Sequence, residues 1–199
     1  MNRNAISGAG RSVRIFFGRT MAVLIDLIPD EDEIWLDWED RGNQAVLELL
    51  KGSAIDHFLV GDFEMAAGLF EMELDMDPED HLEATKPLAY CYVALGEYES
   101  FDEIVDDISD KYPEKEILKL WSEFRRTGRL PSGEMIHFRK SFPVFYAEFT
   151  SDKHEITPDY LADIESERPS REAQARELWL QTEHLWTQFP GFVEALKKQ

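Results

Sequence analysis

The stretch LVGDFEMAAGLFEMELDMDPED, residues 59–80, decides the fold class of this chain. Gly61 follows the apolar run 58–60, at a place where a helix that ends in the left-handed backbone region requires glycine. Asp62 stands at the N-cap position of a second helix, and Asp77-Pro78 ends that helix because proline disfavours helical geometry in the residue before it. Apolar residues recur between them at helical spacing: Phe63, Ala66, Ala67, Phe70 and Leu74. The stretch therefore predicts a helical hairpin, with helices at about 43–60 and 62–76.

This hairpin resembles a tetratricopeptide repeat (TPR), a helix–turn–helix unit of about 34 residues. The second half of the family pattern is matched by Gly61, Phe63, Ala66, Phe70 and Pro78. Thirty-five residues downstream, three of these positions recur as Gly96, Tyr98 and Pro113. A third copy is matched only by Trp121, Phe124, Gly128 and Leu130.

The resemblance implies an all-α fold, a right-handed array of antiparallel helix pairs (a TPR-like α-solenoid) with N- and C-terminal capping helices. Residues 21–199 would form one helical domain, with repeats at about 47–80, 81–115 and 116–142 and a C-terminal capping region at 143–199. Residues 1–20 hold four arginines and no acidic residue, which is typical of a targeting (transit) segment. The alternatives are a basic flexible tail, or an upstream-extended start with Met21 as the true initiator.

Start and stop signals predict the other helices. A capping helix is expected at about 31–40, and a helix that starts at Thr85 places Pro87 in its first turn, where no amide donor is needed. Further helices are expected at about 98–111, 114–127 and 132–142, the last one ended by Pro143. Segment 143–156 is compatible with a helix, a strand-like loop or a docking edge. Thr157 and Ser170 are expected to cap helices that run to about 166 and 187, followed by the terminal stub FVEALKK.

The chain is strongly acidic, with a formal net charge of −20, and the charge is unevenly placed. Residues 21–110 hold 26 acidic residues against three bases, whereas residues 111–140 hold eight bases against four acids. This balance argues against nucleic acid or an anionic membrane as the main partner. No apolar run approaches the roughly 20 residues that a membrane span needs. We expect a cytoplasmic protein, or an organellar one if residues 1–20 are a transit peptide.

No pattern of reactive residues indicates catalysis. The five histidines show no HExxH or other paired metal-ligand spacing, and Asp80 and Lys86 stand where a calcium loop needs glycine and glutamate. The single cysteine, Cys91, excludes an intramolecular disulfide and is expected to be a buried structural thiol. We therefore expect a protein that is not an enzyme and has no cofactor or metal. The alternative is an enzyme that uses carboxylates near His137 or His154.

The TPR resemblance implies a groove lined by the first helix of each pair, with a peptide or protein partner bound in it. The expected partner-binding residues are Lys51, Ile55, Phe58, Lys86, Tyr90, Lys115, Lys119, Ser122, Arg125 and Arg126. Apolar positions come from the first two repeats and cations mainly from the third, which favours a partner with apolar anchors and an acidic stretch or free carboxylate. Alternatively, the basic residues of 111–140 only neutralise the acidic helices beside them.

These observations predict a non-catalytic protein–protein interaction scaffold or adaptor. A structural or assembly-chaperone subunit of a larger complex is the alternative, and an enzyme is the least favoured reading. The identity of the partner and the oligomeric state stay open.

Overall fold

The computed structural model describes residues 35–198, and this part of the chain is helical and contains no strand. The all-α prediction is therefore confirmed for these residues. Within them, ten α-helices follow one another: α1 (Arg41–Leu59), α2 (Phe63–Met76), α3 (Thr85–Leu95), α4 (Tyr98–Ile104), α5 (Pro113–Thr127), α6 (Ser132–Ser141), α7 (Pro143–Phe149), α8 (Pro158–Ile164), α9 (Arg171–Gln188) and α10 (Gly191–Lys197).

The first hairpin forms as the sequence predicts. The carboxylate of Asp40 caps α1 by accepting hydrogen bonds from two backbone amides of its first turn. Gly61 adopts a φ of +80° between α1 and α2, in the left-handed region that disfavours any other residue. Asp62 occupies the N-cap position of α2, but its side chain caps no amide and instead lies 3.1 Å from His57 Nδ1. The turn and the N-cap position of Asp62 are therefore confirmed, although Asp62 makes no side-chain capping bond.

The second pair begins where predicted and ends early. Helix α3 starts at Thr85, which leaves Pro87 in the first turn. Helix α4 ends at Ile104, and a 3-10 turn (Val105–Asp107) replaces the helix predicted to continue to residue 111. The acidic residues of 106–110 oppose the negative end of the helix dipole. An extended backbone at Ile108 also turns that apolar side chain into the core.

The C-terminal region is helical throughout most of its length. Segment 143–156, which the sequence left open, contains α7 followed by an irregular connection. Thr157 Oγ1 accepts a hydrogen bond from the amide of Tyr160, and Ser170 Oγ accepts one from the amide of Ala173. Both predicted caps are therefore confirmed, because each hydroxyl satisfies an amide that the first turn leaves unpaired.

The predicted capping helix at 31–40 is wrong in its described part. Residues 35–40 are not helical, and residues 31–34, like the predicted tail or targeting segment 1–20, lie outside the described residues. The amide of Leu36 donates to the carbonyl of Met76 (2.9 Å), which ties this segment to the end of α2. Trp38 stacks on the ring of His81, with 4.6 Å between ring centroids. These long-range contacts hold the segment in a non-helical conformation.

One hydrophobic core connects the described helices except α8, which has no buried residue. Helix α1 packs against α2, α2 against α3 and α3 against α4, and α3 also contacts both α1 and α5. Helix α9 packs against α7, and α10 reaches back to α5. The C-terminal helices thus fold back over the earlier helices, an arrangement that decides which of their faces stay exposed.

Candidate partner-binding surfaces

The apolar residues predicted to line the groove lie inside the core. Phe58 and Tyr90 are only 5% and 3% exposed, Ser122 is buried, and Ile55 is partly buried. They share one side of the molecule, formed by α1, α3 and α5. We call this side the inner face. Whether its residues bind a partner stays a prediction, but in this structure they do not line an open groove.

The C-terminal half of α9 covers the inner face. The ring of His184 meets Phe58 edge-on, with 4.6 Å between centroids. Trp186 packs against Trp121 at 5.3 Å and against Tyr90 at 6.4 Å. Aromatic side chains of one helix thus contact three other helices, and their burial excludes water from the inner face.

Three of the predicted partner-binding cations on α5 are paired within the chain. Lys115 is buried, and its Nζ lies 2.7 Å from Asp110 Oδ1 and 3.4 Å from Asp106 Oδ1. Burial lowers the pKa of Lys115, but the bonds to these carboxylates outweigh burial and raise it. Lys119 Nζ also donates to Asp106 Oδ1 (3.0 Å), and Arg126 Nη2 donates to Asp102 Oδ1 (2.6 Å). These contacts favour the alternative that the basic residues neutralise acidic neighbours.

The remaining predicted cations have other partners. Arg125 Nη2 donates to the carbonyl of Ala94 (3.1 Å), and its guanidinium lies 4.3 Å from the centre of the Phe189 ring. Lys86 Nζ donates to a Glu83 oxygen (2.9 Å) and lies over the ring of Tyr112 at 3.6 Å. Lys51 is partly buried on α1, and its charge acts on the buried carboxyl of Glu73. The predicted cations therefore do not converge on one open anion site.

Several polar atoms at the contact between α9 and the inner face are buried without a hydrogen-bond partner. They are Tyr90 Oη, Trp121 Nε1 and Arg125 Nε. Burial lowers the pKa of His184, and a hydrogen bond with the backbone of Phe58 opposes this shift. The large majority of buried side-chain polar atoms in proteins are paired, so this contact has more unpaired atoms than is usual. Sequence reasoning missed it, because no local pattern shows which polar atoms a distant helix will cover.

Four exposed apolar side chains lie on α1 and at its C-cap. They are Val46, Leu49, Leu59 and Val60, of which Leu49 is 50% exposed and Val60 is 77% exposed. Val46, Leu49 and Val60 project within about 60° of one another around the helix axis, and they span about 21 Å along it. We call these four residues the apolar α1 face. This face was not predicted from the sequence, because an apolar residue on a helix is normally assigned to the core.

The two histidines considered for catalysis make structural contacts. His154 Nδ1 lies 2.7 Å from Glu148 Oε1, and its ring stacks on Trp179 with 3.8 Å between centroids. Glu148 also accepts hydrogen bonds from Arg176, and these contacts lower its pKa although burial alone would raise it. His137 lies 3.9 Å from Glu116. Among the described residues, no group of three or more His, Cys, Asp or Glu side chains is arranged to hold a metal ion.

Comparison of the chain with protein-family models, with curated proteins and with solved structures found no match. The TPR resemblance therefore rests on the residues quoted above and stays a prediction. None of the helices between residues 35 and 198 is both long enough and apolar enough to cross a membrane.

Proposed function

We propose that this protein is a non-catalytic protein-interaction scaffold that binds a partner protein through the apolar α1 face. The observation that carries the proposal is the exposure of four large apolar side chains, three on α1 and one at its C-cap. Single exposed apolar residues are normal on protein surfaces, but several exposed on one short helix favour an interaction site. Their exposure keeps apolar surface in contact with water, and association with a partner removes that cost.

Charge indicates what kind of partner suits this face. Glu48 and Asp56 are exposed on α1, and Asp62 and Glu64 are exposed at the start of α2. An apolar face among carboxylates favours a partner that presents apolar side chains flanked by lysine or arginine. The same carboxylates oppose pairing of this face with a second copy of itself.

A photo-crosslinking residue at position 49 tests the proposal. It should capture one defined protein from extracts of the source cells, whereas the same residue at Ile136 should not. Ile136 is a matched control because it is 47% exposed, close to the 50% of Leu49, and it lies on α6, away from the apolar α1 face.

The affinity of the purified partner for variants of this chain then tests whether the apolar α1 face is the binding site. Leu49→Asp should weaken binding at least tenfold in titration calorimetry, and added salt should weaken wild-type binding because charges contribute. Equal capture at both positions, or equal affinity for wild type and Leu49→Asp, would show that the apolar α1 face is not the binding site.

We also propose that α1 to α6 form a TPR-like array of three helix pairs. Gly61, Gly96 and Gly128 all have positive φ values, at the C-terminal ends of α1, α3 and α5. This recurrence supports three equivalent turns, because each turn ends the first helix of a pair. Superposition of the three pairs in an experimental structure, with a constant right-handed rotation between them, would support the array. Unrelated rotations would contradict it.

A further inference from the structure

The C-terminal half of α9 and the helix α10 lie on the inner face as a separate peptide ligand would. We propose that residues 182–197 are an internal occupant of the inner face, which an amphipathic helix of a partner protein replaces. That partner helix carries an aromatic anchor and a carboxylate beside it. The inner face shares no residue with the apolar α1 face, so the proposal does not depend on the function proposed above.

The occupant shows what the inner face accepts. Four residues of the occupant follow one another at spacings of three, one and three residues and therefore lie on one side of α9 and its C-cap. They are Thr182, Leu185, Trp186 and Phe189. Trp186 and Phe189 both contact the ring of Trp121, at 5.3 and 5.6 Å between centroids. The inner face thus takes a helix that presents aromatic residues one turn apart, which is a known mode of helix recognition in a groove.

Imperfect polar pairing makes the occupant replaceable. Three polar atoms of the inner face lose their hydrogen bonds to water, and no bond within the protein replaces them: Tyr90 Oη, Trp121 Nε1 and Arg125 Nε. The partly buried imidazole of His184 lies between Phe58 and Phe63, and the backbone of Phe58 is its hydrogen-bond partner. A helix that supplied the missing acceptors would therefore bind this face better than the internal one.

The unpaired groups also specify the chemistry of the replacing helix. Trp121 Nε1 and Arg125 Nε can only donate, so they require an acceptor such as a carboxylate. Tyr90 lies near Glu114, whose Oε2 is also buried and unpaired. Repulsion from Glu114 disfavours a carboxylate at that end. The carboxylate belongs at the Trp121–Arg125 end, where the guanidinium supplies a positive charge.

The rest of α9 is held elsewhere, so release can be partial. Arg176 donates to both oxygens of Glu148, and Trp179 packs edge-on against Phe149 with 5.2 Å between centroids. These contacts anchor the first half of α9 to α7. Displacement of residues 182–197 then opens the inner face without detaching the whole helix.

Peptide binding to the full chain tests the proposal. The probe is a fluorescein-labelled synthetic peptide that copies residues 171–198, followed by fluorescence anisotropy. The Phe189→Ala chain loses a ring that contacts Trp121 and Arg125, and it should bind the probe at least tenfold more tightly than wild type. Tyr146→Ala is the matched control, because Tyr146 is also a partly buried aromatic residue but lies on α7. It should bind as wild type does.

Two further peptides test the carboxylate. They replace Pro190 by Glu or by Lys, directly after the residue whose ring lies under Arg125. The Glu peptide should bind the Phe189→Ala chain more tightly than the Lys peptide. General attraction to a chain of net charge −20 would favour the Lys peptide. Tighter binding of the Glu peptide would therefore indicate a specific contact with its carboxylate. Tighter binding of the Lys peptide would overturn the assigned chemistry.

Hydrogen exchange of the wild-type chain gives an answer even if Phe189→Ala fails to fold. Amides of residues 182–197 should exchange at least tenfold faster than the buried amides of α3, because the occupant opens without global unfolding. Equal exchange rates in the two regions, or a Phe189→Ala chain that folds and binds the probe no better than wild type, would show that the contact is a permanent part of the core.

Discussion

Replacing Glu73 by glutamine should remove a large pH-dependent loss of stability. Glu73 lies on α2 and is only 2% exposed, and neither carboxyl oxygen has a hydrogen-bond partner. Burial raises its pKa from 4.5 to about 7; the charge of Lys51 opposes this rise, and Asp80 and Asp77 add to it. The folded chain therefore keeps this carboxyl protonated at pH values where the unfolded chain has already released the proton.

The size of the effect follows from the two pKa values. Below pH 4.5 the carboxyl is protonated in both states, and burying it has no cost that depends on pH. As the pH rises from 4.5 to about 7, the unfolded state gains an increasing advantage, which levels off above that range. At about 1.4 kcal/mol per pH unit, the loss amounts to roughly 3 kcal/mol in the free energy of unfolding. A loss of this size lowers the melting temperature by roughly 6–12 °C in a chain of this length.

Urea unfolding of wild type and Glu73→Gln, followed by circular dichroism from pH 4.5 to 8.5, measures this contribution. The difference in unfolding free energy between the two chains should change by roughly 3 kcal/mol in favour of glutamine across that range. Glu64→Gln is the matched control, because Glu64 is exposed on the same helix. Glu64→Gln should not reproduce the change of roughly 3 kcal/mol expected for Glu73→Gln. A constant difference for Glu73→Gln would refute the reasoning.

Three further outcomes are expected. Gly61→Ala should destabilise the chain by about 1–2 kcal/mol in urea unfolding, because φ at this position is +80°. Gly52→Ala is the control: it lies on exposed helical surface with open space around it and should stabilise the chain by about 0.5–1 kcal/mol. A loss of stability of similar size at both sites would contradict the turn. Lys115→Glu should lower the melting temperature by several degrees because it reverses a buried, paired charge. Lys140→Glu, at an exposed site, should change the melting temperature by no more than about 1 °C. Equal changes for the two variants would argue against the pairing of Lys115. Burial raises the pKa of Cys91 to about 12, so a thiol reagent at pH 8 should modify it only in urea; rapid labelling of the folded chain would show that the thiol is accessible.

The elements that the sequence predicted well depend on local chemistry. The turn at Gly61, the start of α3 before Pro87, and the caps Thr157 and Ser170 each need only residues within one helical turn. The end of α4 and the non-helical segment 35–40 were predicted wrongly because other parts of the chain decide them. Trp38, for example, stacks on His81, more than forty residues away.

The candidate surfaces could not be predicted in the same way. The family pattern placed Phe58 and Tyr90 on a partner-binding face, and both lie in the core because His184 and Trp186 cover them. An amphipathic helix has an apolar stripe whether its own chain or another protein covers that stripe. Periodicity cannot distinguish the two cases.

By itself, the sequence determined where most helices begin and end, because glycine, proline and capping side chains act on the adjacent backbone. Only the tertiary structure decided that α9 lies on the inner face, that Lys115 pairs with Asp110, and that the apolar α1 face stays exposed. These features depend on which distant helices meet. Burial of apolar surface is non-directional, so a local pattern does not name the helix that will cover it.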